Sequence, residues 1–116
     1  MQERIKKFRE YRQQMNKKIL DMDNLDIKRF FALDSSVYQK GRLDVPTKEM
    51  MGLVASTVMR CNDCILYHLD RCIQEGVTDE ELQEALSVAL VVGGSIVIPH
   101  IRYAFKMMEE IRAEEK

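Results

Sequence analysis

Apolar residues recur at three- and four-residue intervals along almost the whole chain, and residues that break helices are scarce. Two prolines and five glycines occur in 116 residues, tryptophan is absent, and β-branched residues come only in short clusters. A period near 3.6 with so few interruptions confines the chain to α-helices. The expected fold is all-α, a single-domain helical bundle of about six helices. The length supports one domain, because roughly 100 residues already bury about two thirds of their unfolded surface. A net charge of -1 offers nothing to a polyanion such as nucleic acid. No apolar run approaches the ~20 residues of a membrane helix. The opening Met1-Gln2-Glu3-Arg4-Ile5-Lys6-Lys7 is charged and lacks the apolar centre of a secretory signal. The expected compartment is therefore cytoplasmic.

The helices can be placed in order. The first, about Gln2 to Leu20, carries Met1, Ile5, Phe8, Tyr11, Met15 and Ile19 at helical spacing. Such a stripe needs cover, either from its own domain or from a partner subunit. Asp21-Met22-Asp23-Asn24 is a capping junction. A second helix, from Leu25 to about Gln39, is expected to bury Ile27, Phe30, Phe31, Leu33 and Val37, with Gly41 as its stop. Pro46 suits the first turn of a third helix that reaches about Arg60. Glu49 lies there on a stripe with Gly52, Leu53, Ser56 and Arg60. A carboxylate on a closely packed face needs a partner; otherwise it is an exposed first-turn acid favoured by the helix dipole. A fourth helix ends near Glu75, with Gly76 as a left-handed cap. Thr78 and Glu81 form a capping box for a fifth, whose apolar stretch from Ala85 to Val92 suggests the central buried helix. Gly93-Gly94-Ser95 interrupts it, and a last helix runs from about Ile96 to Ala113, with Pro99 near its start.

The fourth helix holds the chemistry. Cys61 and Cys64 stand three residues apart, His68 follows four residues later, and Cys72 four later again. On a helix all four share one stripe. A thiolate is the nucleophile that cysteine chemistry requires, and a helix start, a neighbouring Arg60 and a nearby imidazole favour it. In a reducing compartment such a pair is redox-active or metal-binding rather than a structural staple. Structural zinc needs four tetrahedral ligands, and a line of side chains more than two turns long cannot fold around one ion unless the first turn unwinds. We therefore expect no metal and no cofactor. Cys72 reads as a buried small hydrophobe, and His100, beside Pro99, as a structural residue or a pocket wall.

Together, Glu49, Cys61-x-x-Cys64-x-x-x-His68, Gly76-Val77-Thr78-Asp79-Glu80-Glu81-Leu82-x-Glu84-Ala85-Leu86 and Val91-Val92-Gly93-Gly94 resemble the carboxymuconolactone decarboxylase superfamily, in its alkylhydroperoxidase D-like branch. The resemblance covers residues 43–110 and leaves the helices of 1–40 as possible oligomer contacts. It implies an all-α subunit in homo-oligomers, commonly trimers or hexamers, with a thiol peroxidase or disulfide reductase site. Cys64 would be activated through His68, Glu49 would complete the proton relay, and Cys61 would be the paired thiol. The branch usually has a histidine between its two cysteines, where this chain has Asp63. If helices three and four are antiparallel, Glu49 and His68 stand roughly 16 and 10 Å from the joining turn, a mismatch of about one helical turn.

Three functions compete at this stage. The first is a peroxide- or disulfide-reducing oxidoreductase, recharged by a thiol reductant or redox protein. The second is a non-enzymatic redox sensor whose cysteines switch assembly. The third is a decarboxylase-like lyase that does not need its thiols.

Overall fold

The computed structural model describes residues 3–115. Met1 and Gln2, which the expected first helix included, lie outside the described residues. Among those described are six α-helices and one short 3₁₀ turn. They are α1 (Glu3–Asp21), α2 (Leu25–Val37), α3 (Val45–Val58), α4 (Asn62–Gln74), α5 (Asp79–Gly93), the 3₁₀ turn Ser95–Val97 and α6 (Ile98–Glu114). The all-α expectation therefore holds.

The caps explain most of the boundaries. Asn24 accepts the Ile27 N–H at 3.1 Å to start α2. Asp44 accepts the Thr47 N–H at 3.0 Å to start α3, with Pro46 in the first turn. These bonds, from the Thr47 side chain and backbone, hold the exposed Asp44 carboxyl below the usual carboxylate range. Thr78 and Glu81 exchange both bonds of the capping box at the start of α5. Gly76 ends α4 at φ 88°, a left-handed conformation that glycine adopts without a Cβ penalty.

The chain divides into two compact units, 1–39 and 40–116. In the first, Ile5 is the buried residue of α1, and α2 buries none. The expected α2 stripe is thus corrected. Ile27, Phe30, Leu33 and Val37 are exposed, Phe30 by 68%, and only Phe31 is half-buried. Apolar periodicity requires a covering surface but does not supply one. Gly41 is also not the stop, because α2 ends at Val37 with Tyr38 as a right-handed cap.

In the second unit α3 packs on α4 and α5, and α4 packs on α6. The core joins Leu53 of α3, Ile65, Leu66 and Leu69 of α4, Leu82 and Leu86 of α5, and Met107 and Ile111 of α6. At the far end, Arg112 of α6 reaches Asp79 Oδ1 at 2.8 Å and the Val77 carbonyl at 3.0 Å. A further correction concerns α5. It buries Leu82, Leu86 and Ala89, while Val88, Leu90, Val91 and Val92 are exposed. The helix that buries most side chains is α4 instead, packed between α3 and α6. The last α-helix also starts later than expected. Gly94, at φ 83°, turns the chain into the 3₁₀ turn before α6 begins at Ile98. A Cβ on Gly93 would collide with Val97 Cγ2 and would lie 3.9 Å from Val58 Cα. The glycine pair lets the start of α6 close down on the rest of the unit.

Candidate active site

The site begins where α3 hands over to α4. Met59 closes α3, and Arg60 then takes φ 61°, a left-handed conformation that costs a non-glycine residue about 1 kcal/mol. This single residue reverses the chain. The Cys61 N–H donates to the Ser56 carbonyl at 3.0 Å, and the Cys61 carbonyl accepts from the Ile65 N–H at 2.9 Å. The backbone of Cys61 is thereby held from both sides, by the end of α3 and by the first turn of α4. Cys61 is the N-cap of α4, and its sulfur accepts the Cys64 N–H at 3.3 Å. A sulfur in that position faces the positive end of the helix, which favours a thiolate when the pair is reduced.

Cys61 and Cys64 are joined as a disulfide, with Cα atoms 5.3 Å apart. That separation lies inside the range a disulfide bridges without moving the backbone. Both residues are partly exposed. Cys72 is fully buried, and burial, helped by the negative charge of Glu49, pushes its thiol up to about 12. It is therefore inert at neutral pH.

Glu49 is buried on α3, its side chain only 3% exposed. The exposed first-turn reading of this residue is thus excluded. His68 Nδ1–H donates to Glu49 Oε1 at 2.9 Å. The one-turn mismatch is absorbed by direct side-chain contact. A carboxylate taken out of water needs such a partner, since an unpaired buried charge costs several kcal/mol. The bond also fixes the ring, because with Nδ1 donating, the neutral imidazole carries its acceptor at Nε2. The Tyr67 ring meets the His68 ring edge-on, with centroids 5.0 Å apart.

A residue that sequence reasoning passed over completes this cluster. Arg71 Nε stands 3.6 Å from Glu49 Oε2, while its terminal nitrogens bond Gln74 and Glu75. Burial works against its charge, but the Glu75 bond and the Glu49 charge hold its pKa above the ordinary value. Its position three residues after His68 puts it on the same face, a signal that was available. His100 was expected to be structural or a pocket wall, and it bonds the first residue of α4. Its Nδ1 stands 2.7 Å from Oδ1 of Asn62, the residue that follows Cys61. No sequence pattern announces a contact across 38 residues. Among the described residues, no three or more His, Cys, Asp or Glu side chains are grouped to hold a metal ion. No described helix is long and apolar enough to cross a membrane.

Residues 27–110 match the model of the carboxymuconolactone decarboxylase family. The chain belongs to that family. A crystal structure of a Thermotoga maritima protein superposes with a TM-score of 0.91 at 64% identity, over 95% of this chain and 96% of that one. A carboxymuconolactone decarboxylase family protein from Legionella pneumophila gives 0.81 at 26% identity, over 93% and 96%. Protein 4 of the cox locus of Paracoccus denitrificans is 32% identical over 71% of this chain and 74% of its own. The alkyl hydroperoxide reductase AhpD of Corynebacterium aurimucosum is 34% identical over 53% of this chain, which spans 35% of that enzyme. Together these relatives place the chain in the alkylhydroperoxidase D-like branch.

Proposed function

We propose that this protein is a thiol-dependent oxidoreductase that reduces a peroxide through the Cys61–Cys64 pair, with His68 and Glu49 as its proton relay. The observation that carries the proposal is the disulfide at the start of α4, one helical turn from an imidazole held at 2.9 Å by a buried carboxylate. Likeness to AhpD over part of that enzyme lends support.

The cycle starts from the reduced pair. His68 Nε2 takes the Cys64 proton, and Glu49 at Nδ1 offsets the charge that forms on the ring. The Cys64 thiolate attacks a peroxide oxygen. An S–O bond forms, the O–O bond breaks, and the alcohol leaves with the proton held by His68. Cys64 is then a sulfenic acid. Cys61 attacks its sulfur, the disulfide forms, and water departs. A small thiol reductant or a redox protein returns two electrons and two protons through thiol–disulfide exchange. The residues need no metal or cofactor for these steps. A disulfide substrate would enter through the same Cys64 thiolate.

The chain would work in the cytoplasm as a homo-oligomer, a trimer or hexamer. Two exposed apolar surfaces support assembly: the α2 face with Phe30, Leu33 and Val37, and a groove of about 610 Å³ on α3 and α5 lined by Met50, Met51, Val54, Met59, Val88 and Val92.

The test is steady-state consumption of an alkyl hydroperoxide with a dithiol in excess, together with mass spectrometry after a brief oxidant pulse. The expected result is turnover and a Cys61–Cys64 disulfide, with Cys72 still alkylatable after unfolding. Oxidation that changes sedimentation without turnover would favour a redox sensor. Activity that survives alkylation of every thiol would favour a lyase.

A further inference from the structure

Both of the chain's histidines are engaged at α4, but only His68 has a place in the cycle above. His100 comes from the first turn of α6 and meets α4 at its start, where the sulfurs are, whereas His68 stands mid-helix. An amide oxygen only accepts, so His100 Nδ1–H is the donor to Asn62 Oδ1, at 2.7 Å. Asn62 is the first residue of α4 and is bonded directly to Cys61.

The turn that presents the sulfurs is thus tied to two different helices. The Cys61 N–H is tied to Ser56 of α3, and the Asn62 side chain is tied to His100 of α6. The second tie depends on the Gly93-Gly94 pair. Gly94 at φ 83° begins the turn into α6, and the missing Cβ of Gly93 makes room for Val97, three residues before His100. The tie is present while the sulfurs are joined. When the disulfide opens, the two sulfurs move apart to van der Waals contact. Cys61 and Asn62 share a peptide unit, so a backbone shift at Cys61 that accompanies opening carries Asn62 with it and strains its contact with His100. A contact that favours one arrangement over the other shifts the equilibrium between them, and a contact equal in both shifts nothing.

We propose that His100 and Asn62 form a positioning pair that holds the Cys61–Cys64 turn in its disulfide-bonded geometry and so sets how readily this dithiol is oxidised. His100 is a positioning residue here, acting through Asn62 without touching the reacting sulfurs. The proposal rests on the dithiol reading above, but its test involves no peroxide and no turnover.

The experiment equilibrates the full chain with reduced and oxidised dithiothreitol. In that exchange the protein disulfide gains two electrons and two protons, and dithiothreitol closes to its cyclic disulfide. The readout is the fraction of dithiol in wild type, His100→Ala, Asn62→Ala and the double variant. Each single change is expected to move the equilibrium about three- to tenfold towards the dithiol, the effect of one net hydrogen bond. The double variant should move no further than the larger single one, because the two residues act through one contact. His100→Gln serves as a second replacement if His100→Ala does not fold. Thermal melts of both redox forms separate positioning from plain structural support. If reduced and oxidised forms lose the same stability and the equilibrium does not move, the proposal is overturned. Additive effects of the two single changes overturn it as well. A protein that shows this coupling but turns over no peroxide would refute the functional reading and leave the positioning pair standing.

Discussion

α2 and α4 are each 13 residues long, and each carries regularly spaced apolar side chains. They are used in opposite ways. α4 buries Ile65, Leu66, Leu69, Cys72 and Ile73 between α3 and α6, whereas α2 buries nothing and leaves Phe30 and Leu33 largely exposed. Apolar content therefore does not decide which helix is central. A helix becomes core when neighbours reach it from both sides, and then its few polar residues are also forced to find partners. His68 finds Glu49, a contact that no exposed helix would need. In the assembly proposed above, the exposed α2 face is a surface that another chain would cover.

The contrast can be tested most severely through activity. Cys64→Ser on α4 should abolish hydroperoxide turnover, while Phe30→Ser on α2 should leave the dithiol chemistry intact and alter sedimentation. Turnover retained by Cys64→Ser would remove α4 from the chemistry altogether.

Stability comes next. Leu69→Ala should cost about 2–5 kcal/mol in denaturant unfolding, because it opens a cavity in a fully buried site. Leu33→Ala, 58% exposed, should cost less than about 0.5 kcal/mol in a dilute monomer. Equal costs would mean that α2 is core after all.

Glu49→Gln keeps the shape of the buried side chain but removes the carboxylate that orients His68. A drop of about a hundredfold in kcat/KM is expected, with the fold and the Cys61–Cys64 disulfide retained. An unchanged kcat/KM would leave the Glu49–His68 contact a packing device.

The smallest effect concerns pH. The folded Cys72 thiol lies at about 12, against 9.0 for its ordinary value. The folded state therefore keeps a proton that the unfolded state loses. This contribution to stability is fully present below pH 9 and is lost as pH rises from there towards 12. Denaturant unfolding across that window should show the decline, and Cys72→Ala should flatten it. A slope that survives the substitution would have another source.

Much of this molecule is legible in the residues themselves. Period, scarce breakers and capping residues determined six helices and most of their ends, because caps and helix stripes are local. Asn24, Asp44 and Thr78 act on backbone groups three residues away. The candidate site was legible as far as one helix reaches: Cys61, Cys64 and His68 share a face by spacing alone, and Glu49 joined them only through resemblance. What lay beyond was decided by packing. The exposure of α2 and of Val88 to Val92, the burial of Glu49 against His68, the approach of Arg71, and the reach of His100 to Asn62 each depend on which helix lies beside which. A stripe states that a side chain needs cover or a partner. Only the arrangement of helices in space supplies one, since the groups that meet are 19 and 38 residues apart in the chain.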